Sequence, residues 1–240
     1  MPHERPLLLL TRPRAQSARF AADFVARFGT GFDILTAPAM EILPERDPIP
    51  LDGVSALIFT SENGVAAFAA VQPDRSLHAW CVGERTADAA RAAGFTATAS
   101  EGTAETLVRD LAAAGPKGKL LHLRGEHAAG DVKGDLAALG FEIEKRVVYR
   151  QAALPFGTDV LARVAQAPLT LLPLFSPRSA RLVGAELHDS PGRFALVPMS
   201  PAVAAAWTGP APLAQAQAER PDADAMLDAL SRLIDAFPAP

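Results

Sequence analysis

LIFTSENGVAAF, residues 57–68, carries a strand, a turn and a helix start within a dozen positions. The apolar run 56–59 has the continuous hydrophobicity of a strand buried on both faces. It stops at the small polar residues Thr60, Ser61 and Asn63, after which Gly64, Val65 and Phe68 open a helical spacing. A strand that runs through a short polar turn into a helix aims unpaired backbone N–H groups at whatever lies above the strand end. The partial positive charge of the helix N-terminus points the same way. LPLFSPRSARLV, residues 172–183, has the same construction, and Ser176 lies 115 positions after Ser61.

The offset holds elsewhere. Leu57, Val82 and Gly94 fall on Leu172, Val197 and Gly209; with a small gap, Arg12 falls on Arg124 and Gly31-Phe32 on Gly140-Phe141. Self-similarity at a fixed spacing marks a repeated structural unit. The chain around these pairs alternates in the same way. Strands are expected at 7–10, 80–82, 119–123, 169–175 and 194–197, with a thin one at 213–216. Helices are expected along the Phe20, Phe24, Phe28 stripe, over 64–71, 87–93, 130–139 and near 159–165, after Ser176 and Ser200, and from Asp222 to the end. Thr103 is the expected cap of a helix over 104–114. Strands alternating with helices imply parallel sheets covered on both faces.

The expected fold is thus a duplicated α/β protein with two parallel-sheet domains. The extended stretches 32–42 and 142–150 take equivalent places in the two copies and are expected to cross between the domains side by side. This predicts one domain from 1–36 with 151–240, another from 43–145, and linker strands at 37–42 and 146–150. The two domains are expected to face each other across a cleft.

Composition narrows the function classes. At 49% hydrophobic and 21% charged residues, the 240-residue chain has ample material for a core. Its net charge of −4 argues against a nucleic-acid binder and leaves a small anionic ligand open. The one cysteine, Cys81 in the apolar WCV, is expected in the core; it excludes a disulfide framework and fits a reducing compartment. The start MPHERPLLLLTRPR lacks a basic segment followed by a long apolar one, and no run approaches a membrane span. No signal peptide, no membrane contact and a cytoplasmic location are the expectation. GxGxxG, GxxxxGK[ST] and GxSxG are all missing. His122 in a strand pattern and His127 in a loop lack the spacing of a zinc site, so no metal is expected.

What remains is a set of loops at strand ends. Arg12 and Arg124 end matched strands. Residues 60–63 form one turn and Gly83-Glu84-Arg85-Thr86 another; Ser176-Pro177-Arg178-Ser179 and Met199-Ser200-Pro201 are their partners. Ser-Pro is a good helix start by itself, so plain capping by Ser176 and Ser200 stands as an alternative. Several such turns lining one cleft point to anion capture, because open parallel sheets bind ligands beyond their carboxyl strand ends. Tyr149, the one tyrosine, ends a stretch expected to pass between the domains. It either packs with its hydroxyl in water or projects that hydroxyl into the cleft as a proton donor.

Taken in order, LLTRP, IFTSENGV, VGERTA, LRG at 123–125, VVY at 147–149, LFSP, and ERPD before the last helix resemble the uroporphyrinogen-III synthase family over nearly the whole chain. The resemblance implies two flavodoxin-like domains joined by two strands, and a lyase that uses no cofactor. The substrate it implies is hydroxymethylbilane, a linear tetrapyrrole bearing acetate and propionate groups. This loses its hydroxyl as water, inverts ring D through a spiro intermediate and closes as uroporphyrinogen III. A monomer is expected.

The implied chemistry suits the residues. Catalysis would come mainly from holding a productive geometry, an effect worth up to ~7–11 kcal/mol. Peripheral carboxylates suit N–H groups at helix starts. The departing hydroxyl needs a proton, which a phenol can donate. By motif position, Tyr149 is the candidate acid, and Ser61, Gly83, Thr86, Ser176 and Ser200 are cleft-lining candidates. Asn63 joins them from the first turn, with Arg12 and Arg124 from the repeat. One departure from the family pattern is Val197-Pro198-Met199-Ser200-Pro201, where a glycine and threonines are usual. Ser200 keeps a hydroxyl, but Pro201 loses an N–H. Two other classes remain in view: a non-catalytic two-domain small-anion-binding protein, and a flavodoxin-like electron carrier.

Overall fold

The computed structural model describes residues 5–127 and 130–237. The first four residues of the N-terminal stretch, and the ends of the first domain as drawn above, lie outside the described residues. The chain divides into two compact units, Met1–Glu41 with Ala153–Pro240, and Ile42–Ala152.

In the first unit, β1 (Leu7–Leu10) leads through α1 (Arg14–Phe28) to β2 (Asp33–Thr36). The unit resumes with α6 (Thr158–Gln166), β9 (Thr170–Leu174), α7 (Pro177–Glu186), β10 (Phe194–Pro198), α8 (Pro201–Ala205), β11 (Ala214–Gln215) and α9 (Ala223–Ala236). Among the described residues the strands form one parallel sheet in the order β2-β1-β9-β10-β11. Numbered within the unit this is 2-1-3-4-5, the flavodoxin order. Leu7 and Leu9 face the helices α6 and α7, where Val164, Ala180 and Val183 are buried. Leu8 and Leu10 face Phe20, Phe24, Met226 and Leu230 of α1 and α9. A strand buried on both sides needs an unbroken apolar run, which LLLL supplies.

The second unit holds β4 (Val54–Phe59), α2 (Glu62–Val71), β5 (His78–Cys81), α3 (Glu84–Ala92), β6 (Ala97–Ala99), α4 (Ala104–Ala114), β7 (Lys119–Gly125) and α5 (Val132–Ala138), together with most of β3 (Met40–Pro44) and β8 (Ile143–Ala153), which run across its bounds. Its sheet order is β3-β8-β7-β4-β5-β6. Counted from β7, the last five strands repeat the order of the first unit. Shifting the bounds of α2 by 115 positions reproduces those of α7. The strands β3 and β8, foreseen as linkers at 37–42 and 146–150, are neighbours in this sheet, with the Glu45 N–H donating to the Val148 carbonyl at 2.9 Å. Chain order puts a strand after α3 that the sequence did not announce: Ala97–Ala99 has little β-branched character, and pairing with β5 makes it a strand.

Helix starts follow local chemistry. Ser61, Thr103, Asp131, Ser176, Ser200 and Asp222 each cap the following helix by accepting a backbone N–H. Thr103–Thr106 and Ser176–Ser179 form reciprocal boxes. Helix ends are less local. Arg75 donates to the carbonyls of Ala69 and Gln72 at the end of α2 and of Ala93 after α3, and its guanidinium lies 4.6 Å over the Phe95 ring. Beneath it Phe59, Phe68 and Phe95 pack with centroids 5.9–6.0 Å apart. Burial of each such ring contributes about 1.5–3 kcal/mol.

Cys81 lies in this core with no exposed surface, and burial pushes its thiol up to about 12. The thiolate is the reactive form. The folded protein should therefore leave a disulfide thiol reagent unreacted near pH 8 and titrate one thiol once unfolded in denaturant. Rapid reaction of the native protein would contradict this packing.

Candidate functional site

In a 2-1-3-4-5 sheet the strand order reverses direction between the strands numbered 1 and 3, and ligands bind beyond the carboxyl ends at that point. In the second unit these strands are β7 and β4, so the place to look is Thr60-Ser61 after β4 and Arg124-Gly125 at the end of β7. An open pocket of about 470 Å3 lies there, lined among others by Thr60, Ser61, Gly102, Glu105, His127 and Tyr149. Its size is in the range that takes a drug-sized ligand.

Tyr149 is 4% exposed, and its hydroxyl oxygen is 3.1 Å from Ser61 Oγ. Ser61 Oγ also accepts the N–H of Gly64 at 3.1 Å, as the cap of α2. The two hydroxyls are 88 positions apart in the chain. Their meeting depends on an irregularity. Along β7 and β8, Arg124 pairs with Val147 but Gly125 pairs with Tyr149, so β8 carries one extra residue. Strict alternation would send Val148 and Tyr149 to opposite faces; instead both are buried in the same cluster. A bulge of this kind re-aims a side chain.

Gly125 makes the new direction possible. A Cβ built there would lie 2.5–2.7 Å from Tyr149 Cζ, Cε2 and Oη, so the ring rests directly on the glycine backbone. The close approach, and not a special φ, is what excludes a side chain. Gly125 belongs to the LRG motif, which by itself assigns it no role. A glycine ending a strand is the available signal, since it marks a bulge or a close approach.

The other candidates are spread over strand ends. Asn63 lies in the first turn of α2. Gly83 precedes α3 and its carbonyl accepts the N–H groups of Thr86 and Ala87; a Cβ on it would meet the Gly102 Cα at 3.2 Å. Thr86 is buried at 5% exposure, within the turn and away from the surface. Arg124 Nε donates to the Gly125 carbonyl at 3.2 Å. In the first unit the equivalent reversal lies between β1 and β9. There the Arg12 guanidinium sits 4.4 Å over the Phe175 ring, next to Ser176, whose hydroxyl caps α7. Ser200 caps the short α8. Capping, the plainer of the two roles considered for both serines, is therefore real; it does not exhaust a hydroxyl, which has two acceptor sites and one donor. The helix starts differ in charge. α2, α3 and α4 carry Glu62, Glu84 and Glu105 in their first turns, whereas α7 and α8 carry no acid there. Glu105 is held below the ordinary carboxylate range by its own backbone N–H and the Thr103 hydroxyl.

Below the pocket floor, His122 in β7 is 2% exposed, and its Nε2 is 3.3 Å from Thr60 Oγ1. Burial, with Arg124 and Lys145 nearby and only Asp131 opposing, pushes its pKa down to about 4. The folded protein thus keeps His122 neutral where the unfolded chain, near its ordinary 6.5, binds a proton. Stability contributed by the neutral form is complete above pH 6.5 and is lost as pH falls from there towards 4, by on the order of 3 kcal/mol. Denaturant midpoints measured at pH 7.5, 6, 5 and 4 should fall in that window, and His122→Leu should flatten the fall. A flat wild-type profile would contradict it. Among the described residues no group of three or more His, Cys, Asp or Glu is placed to hold a metal ion, and no helix is long and apolar enough to cross a membrane.

Two parallel α/β units with flavodoxin strand order, each presenting hydroxyl-capped helix starts and an arginine at its reversal point, define a class of small-molecule-binding α/β protein. A family model described as uroporphyrinogen-III synthase HemD matches residues 24–228, and the chain belongs to that family. A crystal structure of uroporphyrinogen-III synthetase from Helicobacter pylori superposes with a TM-score of 0.68 at 14% identity, over 95% of this chain and 99% of that one. A mutant uroporphyrinogen III synthase from the extremely thermophilic bacterium Thermus thermophilus gives 0.54 at 17% identity, over 96% and 99%. At these identities the likeness concerns the fold. No curated protein matches the sequence.

Proposed function

We propose that this protein is a uroporphyrinogen-III synthase: a lyase that cyclises hydroxymethylbilane to uroporphyrinogen III, with inversion of ring D and loss of water, and without a cofactor. Family membership supports the reaction. The observation that carries the assignment of roles is the Tyr149–Ser61 hydroxyl pair in the pocket at the β4/β7 reversal point. Ser61 accepts the Gly64 N–H and donates its own proton to Tyr149 Oη, which leaves the phenol proton pointing at the ligand. Tyr149 gives that proton to the substrate hydroxyl as the C–O bond breaks and water departs. The phenolate left behind is held by the Ser61 O–H. The substituted carbon of ring D then bonds to the carbon that lost the hydroxyl; the spiro intermediate rearranges and the ring closes. Tyr149 recovers its proton from the pyrrole that loses one.

The duplication and an inter-domain cleft belong to the same proposal, with strand-end loops of both units acting on one substrate. Freedom from first-turn acids at α7, together with Arg12 and Ser176, favours that rim for most of the carboxylates. The acid-bearing rim of the second unit suits the reacting end, where positive charge develops as hydroxyl leaves. Product-isomer analysis is the test. Purified protein incubated with hydroxymethylbilane should yield the type III isomer; type I alone, the product of unassisted closure, would overturn the synthase reading and favour a non-catalytic anion receptor.

A further inference from the structure

His122 takes no part in the scheme above, yet it is a nearly fully buried polar side chain beside the pocket. It shares a sheet face with Leu120, in a core of Ile58, Leu107 and Val132. Its Nε2 meets Thr60 Oγ1, and its Nδ1 has no hydrogen-bond partner among the described residues. Thr60 Oγ1 has His122 as its side-chain partner and lines the pocket.

Two neutral tautomers satisfy the distance. With the proton on Nδ1, a buried N–H has no acceptor, and Thr60 must spend its own proton on Nε2. With the proton on Nε2, the unpartnered atom is a bare acceptor, and orphaned buried N–H groups are the rarer of the two defects. The second arrangement also gives Thr60 an incoming hydrogen bond, so its hydroxyl proton has to go elsewhere. The pocket is the open direction. We propose that His122 donates through Nε2–H to Thr60 Oγ1 and thereby turns the Thr60 hydroxyl proton into the pocket, where it meets a carboxylate oxygen of the bound substrate. Thr60 is then a substrate contact and His122 a positioning residue that acts through it. This rests on the synthase reading for the identity of the carboxylate.

The test combines a spectrum with a mutant cycle. Long-range 1H–15N spectra of the unmodified protein distinguish the two tautomers among its five histidines, with His122→Gln assigning the signal. The Nε2–H form is expected; the Nδ1–H form overturns the proposal whatever the activity data give. In steady-state assays with hydroxymethylbilane, Thr60→Val should raise KM on the order of tenfold with kcat nearly unchanged. His122→Leu should raise it about fivefold, and should add nothing in the Thr60→Val background. His122→Gln, whose amide N–H reaches close to the Nε2 position, should return KM to within about twofold of wild type. Additive effects, or a glutamine variant as impaired as the leucine one, would overturn it. Should wild type yield type I isomer alone, the synthase reading fails separately, and the same five proteins are compared by titration with uroporphyrinogen III, where the same order of affinities upholds the His122–Thr60 arrangement and equal affinities overturn it.

Discussion

Tyr149→Phe is expected to lower turnover by on the order of tenfold or more while leaving the fold intact. The substitution removes one oxygen. The ring keeps its place against Gly125 and in the core around Val148, and Ser61 still caps α2 through the Gly64 N–H. Loss of the hydroxyl contact should cost about 1 kcal/mol of stability, a small part of the total for a domain of this size. On the proposed role the effect belongs in kcat, because the proton would be needed as the C–O bond breaks and not when substrate binds. Steady-state rates with hydroxymethylbilane, with a thermal melt as control, decide it. Unchanged kcat would return Tyr149 to a packing role, and another donor would then have to supply the proton.

Gly125→Ala should be at least as damaging, by a different route. The added methyl would sit 2.5–2.7 Å from two ring carbons and the hydroxyl oxygen of Tyr149, and the ring is buried, so it cannot swing aside without repacking. Overpacking of this kind costs about 1–3 kcal/mol. More telling is the displacement it imposes. A shift of about 1 Å parts Tyr149 Oη from Ser61 Oγ and misplaces the acid, and errors of that size can cost about a hundredfold in rate. The double variant Gly125→Ala, Tyr149→Phe should turn over no more slowly than the slower single variant, because both changes remove the same correctly placed proton. Multiplying losses, or a Gly125→Ala enzyme with wild-type turnover, would show that the glycine serves the strand alone.

These two positions mark the limit of what local sequence reveals. Tyr149 is legible as a candidate because it is the one tyrosine and ends the VVY motif. Gly125 stands in a motif without a role of its own, and His122 reads only as a metal ligand that lacks partners. Neither can be understood from its neighbours. His122 gains its meaning from Thr60, 62 positions away, and Gly125 from a bulge in the strand beside it. The alternation through 142–149 even argues against the observed packing, since it places Val148 and Tyr149 on opposite faces. The Arg75 clamp is hidden in the same way: QPDRS reads as a turn, and the carbonyls that Arg75 collects come from the ends of two helices.

The sequence by itself determined most of the strands, several of the helix caps and the doubling of the pattern. An apolar run buried on both faces needs no partner to be recognised, and a cap such as Ser61 to Gly64 or Thr103 to Thr106 is settled within three residues. The ordered motifs were enough to place the family. Only the tertiary structure decided which hydroxyls meet, which histidine lies beside Thr60 and which glycine the Tyr149 ring rests on. Those contacts join different strands, and their geometry depends on a one-residue register change that leaves no mark in local composition.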